Sequence, residues 1–222
     1  MRIALVNPNT NHKTTAAMAA IALEALPPGS AITGHTAPFG KPLITNPQDL
    51  AIAAEAVAAM SADLAAFDGV IVSAFGDPGR DALKQVLPCP VIGIAEAAMA
   101  EAARLSGGRF SVVTTTPGLA ESIRQTAARY KLDRSLAAVR TTAEDPAQLM
   151  ADEGALATAL AALIADTIRR DGARSVIIGG GPLATVARRL APQFSVPVAE
   201  PIPVAARMMA AVLRSETEGK LA

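Results

Sequence analysis

The sequence has no tryptophan, one tyrosine, one cysteine and two histidines, and its twenty basic and twenty acidic residues cancel. Each scarcity excludes something. A lone cysteine, Cys89, cannot form an intramolecular disulfide, which agrees with a reducing, cytoplasmic setting. One cysteine and two isolated histidines offer no metal-ligand spacing, so no metal is expected. A chain of zero net charge carries no global field for nucleic acid or an anionic membrane surface. With aromatic residues at 3%, stacking platforms for single-stranded nucleic acid are missing too. Long apolar runs are also absent. The stretch around residues 155–168 is interrupted by Thr and Asp and is too short for a bilayer. The opening MRIALVNPNTN lacks the apolar length of a signal peptide.

What is present is a large supply of core-forming residues: 51% of the 222 residues are hydrophobic and 18% are charged. That balance predicts a folded globular chain rather than a disordered one. Short β-branched runs occur at 2–6, 70–74, 90–94, 110–114, 175–179 and 196–199. Ala-rich stretches of helical period lie near 13–25, 47–66, 96–106, 118–130, 147–170, 183–190 and 203–214. Strand and helix in alternation imply a parallel sheet wrapped by helices, an α/β fold. Asn46-Pro47 and Asp145-Pro146 put a cap residue before a proline at the first helical position. Gly107-Gly108 ends another helix.

The chain also repeats itself. RIALV and RFSVV end at Val6 and Val113, an offset of 107. VIVSA and VIIGG end at Ala74 and Gly180, an offset of 106, and the Pro-Val pairs at 90 and 197 are offset by 107. Three landmarks in one order at one spacing predict two α/β halves of like topology. Asn7-Pro8-Asn9-Thr10 then corresponds to Thr114-Thr115-Thr116-Pro117, and Ala74 to Gly180. The carboxyl ends of such strands are where an open α/β sheet binds ligands. Here they carry amides, hydroxyls and backbone N–H groups, which suit a small carboxylate or a cyclic amide.

The segments VNPNT (6–10), TAPFGKPLI (36–44), SAFGDPG (73–79), PVIGIAEAAM (90–99), RFSVVTT (109–115), IIGGGPLA (177–184) and VPVAEP (196–201) run through nearly the whole chain. Together they resemble the Asp/Glu racemase superfamily, and most closely the hydantoin racemase family. The resemblance implies two pseudo-symmetric parallel-sheet α/β domains with the active site between them, 1–95 plus 200–222 forming one half and 96–199 the other. It implies cofactor-independent racemisation by two cysteines, one removing the α-proton and one returning a proton on the other face. Those cysteines fall at Ala74 and Gly180, and neither is a cysteine here. Cys89, between Pro88 and Pro90, reads as a small buried hydrophobe. Ala-rich helices such as 47–66 and 147–170 are expected to pack between subunits of a homo-oligomer, as in family members.

Without those thiols the candidate catalytic groups are Ser73, Glu96, Glu200 and His35. Glu96 and Glu200 follow equivalent Pro-Val strands, offset by 104, and each is either a buried acid or base or a charge complementing a helix dipole. His12 falls in a first helical turn. His35, on or after a strand, is the better base. Ser73 has no evident His partner. The candidate substrate contacts are Asn9, Thr10, Phe75, Gly76, Thr115, Thr116, Gly180, Gly181 and Pro182. For Asn7, Asn9 and Thr10 the competing role is an Asx turn with a helix cap. For the threonines it is an N-cap ahead of Pro117. Asp77 reads as the cap of a helix starting near 79. GGGP matches neither a P-loop nor the GxGxxG spacing, so a carboxylate or oxyanion pocket is the expectation there.

These readings lead to an enzyme acting on a small cyclic amide, hydantoin-like, or a carboxylate. It would use a non-cysteine racemase, isomerase or lyase mechanism with no organic cofactor. The alternatives are a ring-opening hydrolase, a decarboxylase, or a catalytically silent binding homologue. The expected partner is a small-molecule substrate, with no nucleic acid and no membrane.

Overall fold

The β-branched runs become short buried strands because both sheet faces are covered by helices, as parallel sheets require. A computed structural model describes residues 1–221. In chain order the first elements are β1 (Arg2–Asn7), α1 (His12–Glu24), β2 (Ala31–Thr36), α2 (Pro47–Ala59), α3 (Ser61–Leu64), β3 (Gly69–Val72), α4 (Arg80–Val86), β4 (Val91–Gly93) and α5 (Ile94–Ser106). They are followed by β5 (Phe110–Thr114), α6 (Ala120–Arg129), β6 (Leu136–Thr141), α7 (Pro146–Ala151), α8 (Glu153–Asp171), β7 (Ser175–Ile178), α9 (Ala184–Leu190), β8 (Val198–Ala199) and α10 (Pro201–Leu221). All strand pairs are parallel.

Contacts divide the chain into two units. The first comprises Met1–Ile44, Gln48–Ala97 and the segment from Ile202 onward, and the second Thr45–Pro47 with Ala98–Pro201. The first sheet has the order β2-β1-β3-β4 and the second β6-β5-β7-β8. In unit 1, Ala4, Val6, Val70, Val72 and Val91 pack on Val57, Met60, Leu64 and Leu83 of α2, α3 and α4. On the other face Gly69 leaves room for Met209 of α10. In unit 2, Val113, Val176 and Ile178 pack on Leu156, Leu160, Ile164, Val186 and Leu190. On its other face Ser175 Oγ donates to the Ala102 carbonyl of α5 at 2.8 Å.

The repeat extends to individual hydrogen bonds. Ser73 N–H donates to Val6 O, and Gly179 N–H to Val113 O, each at 2.8 Å. Asp77 N–H donates to Ala74 O and Leu183 N–H to Gly180 O, each at 3.0 Å. Val70 N–H donates to Pro90 O and Val176 N–H to Pro197 O, each at 2.9 Å. The turns after β3 and β7 are therefore one motif used twice, with Ala74 and Gly180 at the same place in it.

Two strands go beyond the apolar runs. β2 and β6 are sheet edges, and their mixed sequences AITGHT and LAAVRT are partly exposed along their length, so neither forms a continuous apolar run. Two long helical stretches are also interrupted. The 47–66 stretch turns at Met60. The 147–170 stretch breaks at Asp152, which is extended (φ −123°) and accepts hydrogen bonds from Gly154 and Ala155 N–H as the cap of α8. A side chain that competes for main-chain donors ends one helix and starts the next. Gly107 and Gly108, at φ +60° and +89°, end α5 as expected.

Candidate active site

In unit 1 the carboxyl ends of the strands carry three loops, after β1, β2 and β3. The β3 turn is held at both ends. Ser73 is buried, and its hydroxyl donates to the Val6 carbonyl at 2.8 Å. That bond ties the turn to β1, so Ser73 is an anchor and not the nucleophile considered from sequence. Asp77 has φ +54° and is 2% exposed. Its carboxylate accepts from Ala95 N–H at 2.9 Å and Glu96 N–H at 2.8 Å. It therefore caps α5, not the helix that follows it. α4 instead starts from Gly79 in the left-handed region (φ +76°), with no side-chain cap. Gly93 is what admits the Asp77 carboxylate, since a Cβ there would collide with it.

Glu96 has a structural partner as well. Its Oε1 accepts from Arg80 Nη2 at 2.5 Å and its Oε2 from Gly93 N–H at 3.3 Å. Arg80 is itself buried and also donates to Asp81 at 2.6 Å. Through these contacts Glu96 ties the first turn of α5 to α4 and to the end of β4. Nothing in the sequence marks Arg80, because its partner lies sixteen residues away on another helix. Between these anchors the Ala74 and Phe75 N–H groups have no acceptor among the described residues. Phe75 is buried, and Gly76, at φ +118°, lies against Leu50 of α2.

The loop after β1 is an amide network. Asn7 Nδ2 donates to Asn9 Oδ1 (2.8 Å), Asn11 O (3.2 Å) and Thr15 Oγ1 (2.9 Å). Asn9 Oδ1 also accepts from Asn11 N–H at 2.9 Å, and Asn11 caps α1 by accepting from Lys13 and Thr14 N–H. Asn7 and Asn11 are thus structural. The Nδ2 group of Asn9 and the hydroxyl of Thr10 have no partner among the described residues and are open to a ligand. Thr10 N–H donates to Lys41 O at 3.0 Å, joining this loop to the one after β2.

In unit 2 the corresponding positions are Thr114–Thr116, Gly179–Pro182 and Glu200. Thr114 and Thr116 hydroxyls bond each other at 3.2 Å, which leaves the Thr115 hydroxyl as the free one. Thr116 precedes a one-turn 3-10 helix at Pro117–Leu119 but makes no side-chain cap. Gly180 has φ +146° and ψ +125°, and its N–H, like that of Gly181, has no acceptor among the described residues. Pro182 sits in the 3-10 turn at Gly181–Leu183. Glu200 follows β8 directly, with one carboxylate oxygen buried. Strand register makes Gly93 its equivalent in unit 1, not Glu96. Val72 pairs with Gly93, and the next position after the Ile177–Ala199 pair brings Glu200 beside Ile178.

The family model described as Asp/Glu/Hydantoin racemase matches residues 3–209. The chain belongs to the Asp/Glu/hydantoin racemase family. A hydantoin racemase of Rhizobium meliloti is 31% identical over 226 residues, covering 96% of this chain and 89% of the relative. The allantoin racemase structure from Pseudomonas fluorescens matches with a TM-score of 0.90 at 30% identity, covering 97% of this chain and 92% of that one. The allantoin racemase structure from Klebsiella pneumoniae matches with a TM-score of 0.88 at 31% identity, covering 97% and 89%.

Two residues of this family member lie away from the strand-end loops. His35 pairs with Val6 and so points to the face that carries α2 to α4, where its ring meets Phe67 edge-on at 5.2 Å. Burial there holds the imidazole below its usual range, against a smaller upward pull from Asp63. His35 is thus a half-buried histidine packed on Phe67, away from the strand-end loops. Cys89 precedes β4, so it sits at the amino end of a parallel sheet whose candidate loops are all at the carboxyl end. It lines a cavity of about 610 Å³ with Met1, Asp68, Pro88 and Pro90, and burial pushes its thiol up. Among the described residues no helix is long and apolar enough to cross a membrane.

Proposed function

We propose that this chain is a racemase- or isomerase-class enzyme of its family that acts on a hydantoin-like cyclic amide or a small carboxylate without using a thiol. The observation that carries this reading is the paired turn. The hydrogen-bonded frame at Ala74 and Gly180 is kept twice, while the one thiol of the chain lies at the other end of its sheet. The named relatives, hydantoin and allantoin racemases, supply the substrate class.

The chemistry follows from the groups left. Removing a proton next to a carbonyl places negative charge on the carbonyl oxygen. Main-chain N–H groups without acceptors, at Gly180 and Gly181, stabilise that oxyanion, and the Thr115 hydroxyl adds a donor. Unit 1 offers donors of the same kind in its own strand-end loops, at Asn9, Thr10 and the Ala74 and Phe75 N–H groups. Glu200 is the base. Its equivalent in unit 1 is a glycine. Glu200 follows strand β8 directly, with one carboxylate oxygen buried at the strand end. Glu200 takes the α-proton and the enolate forms; water returns a proton to carbon, and the hydroxide so formed takes the proton from Glu200, which restores the carboxylate and the water. No organic cofactor or metal enters.

The test is proton exchange in D₂O. 5-Substituted hydantoins, allantoin, aspartate and glutamate are followed by NMR at the α-carbon and by chiral chromatography. Exchange with loss of optical purity is expected for a cyclic amide, and Glu200→Gln should slow it by about 10²-fold or more. Tight binding with no exchange would establish the silent-homologue reading instead.

A further inference from the structure

Among the described residues five large hydrophobic side chains are exposed: Leu23, Phe39, Ile52, Val86 and Leu105. Leu23, Val86 and Leu105 each stand at the last or next-to-last position of a helix, where the chain has returned to the amino end of a strand. Phe39 and Ile52 are different. They lie at the carboxyl end of sheet 1, on the loop after β2 and near the start of α2, and are 44% and 38% exposed.

The loop that carries Phe39 is pinned on both sides. Ala37 N–H donates to Asn7 O at 2.9 Å, and Lys41 O accepts from Thr10 N–H at 3.0 Å. Its tip, Pro38-Phe39-Gly40, is therefore fixed to the loop that carries Asn9 and Thr10. Gly40, at φ +116°, lets the tip turn, and a Cβ there would lie 3.7 Å from Ile52 Cγ2. Two residues earlier on α2, Leu50 lies against Gly76, 3.5 Å from where a Cβ would stand. The start of α2 thus joins the Phe39 loop to the turn after β3. The result is one rim with free donors on one part (Asn9, Thr10, Ala74 and Phe75 N–H) and an exposed apolar part made of Phe39 and Ile52.

Resting on the reading that the ligand is a cyclic amide, we infer that Phe39, backed by Ile52, is the specificity-determining wall for the ring substituent. The preferred substrate then carries an aryl or branched-alkyl group, not a polar ureido group. A ureido substituent brings donors and acceptors that an aromatic face cannot satisfy, whereas an aryl group removes apolar surface from water on both sides.

Calorimetric titration of wild type, Phe39→Ala and Phe39→Leu with hydantoin, 5-benzylhydantoin and allantoin tests this. Wild type is expected to bind 5-benzylhydantoin about tenfold or more tightly than hydantoin or allantoin. In Phe39→Ala the benzyl-to-hydantoin ratio should fall about tenfold, and Phe39→Leu should restore part of it. An unchanged ratio in Phe39→Ala overturns the inference, as does allantoin binding wild type as tightly as 5-benzylhydantoin. So does a changed solution mass for Phe39→Ala with level affinities, which would make the patch a contact between copies. If wild type binds none of the three ligands, the cyclic-amide reading falls and this inference with it. An unchanged ratio in a protein that does bind hydantoin overturns this inference alone.

Discussion

Placing cysteine at positions 74 and 180 should be cheap at one and costly at the other. Both belong to the same turn, but the backbone differs. Gly180 has φ +146° and ψ +125°, which a residue with a Cβ rarely adopts. Holding a non-glycine residue in such a region costs about 1–3 kcal/mol. The new Cβ would also lie 3.3 Å from Cγ and Cδ1 of Leu183, which is 2% exposed and has little room to retreat. Crowding of that kind adds about 0.5–1 kcal/mol.

Ala74 starts from a different position. Among the described residues the only non-glycine ones with positive φ are Asp77 and Lys131, so position 74 already has a backbone that suits any side chain. Ala74 is 9% exposed, and one added sulfur there should cost no more than about 1 kcal/mol. Gly180→Cys is therefore expected to lose about 2–3 kcal/mol, or about 4–12 °C in Tm for a chain of this length. Ala74→Cys should stay within about 1 kcal/mol of wild type. Urea and thermal unfolding under reducing conditions, followed by circular dichroism, read both. If Gly180→Cys unfolds within about 0.5 kcal/mol of wild type, the glycine is not conformationally required and the reasoning fails.

Two further outcomes follow from buried charge. Arg80→Met leaves the Glu96 carboxylate without its guanidinium and should cost about 2–4 kcal/mol, whereas Glu96→Gln keeps an acceptor and should cost less. Equal losses in urea unfolding would contradict the ion-pair account. His35 gives a pH signature. Burial holds it below its ordinary value, so it is neutral in the fold, while the unfolded imidazole takes a proton near pH 6.5. Protonation thus favours the unfolded chain. The stability is whole above about pH 6.5 and declines as pH falls toward the lower folded value. His35→Phe should flatten Tm against pH across that window, and an unaltered slope would assign the dependence to other groups.

The fold was legible wherever a strand was buried on both faces. VIVS and SVII read as strands because every residue is apolar or small and the run ends in a turn. The edges β2 and β6 were harder, since a half-exposed strand has no continuous apolar signal. Helix breaks at Met60 and Asp152 were hidden because one residue decides them against a long favourable periodicity. For the site, the strand-end positions were readable from the repeat, but the use of each side chain was not. Ser73, Asp77 and Glu96 all carry polar chemistry at the right place, and all three are engaged in holding the turn. Their partners, Val6, Ala95 and Arg80, come from separate elements, and no local spacing announces them. The packing of His35 was hidden for a simpler reason. Only strand register, Val6 against His35, says which face the ring takes.

The two halves differ most where a duplicated motif would be expected to agree. In unit 1 the turn contributes the carboxylate, Asp77, and the neighbouring strand end contributes a glycine to admit it. In unit 2 the turn contributes Leu183 at the place of Asp77, and the strand end contributes the carboxylate, Glu200, at the place of Gly93. The exchange changes what each acid can do. Asp77 accepts main-chain donors of α5 and is thereby fixed as an anion whose work is structural. Glu200 stands before a helix whose first and third residues are prolines, so of the usual capping donors Ile202 N–H remains and that of residue 203 does not. A chain with alanine at 74 and glycine at 180 in the same hydrogen-bonded frame thus holds these two carboxylates in unequal settings. One of them locks a turn. The other is the group we propose as the base.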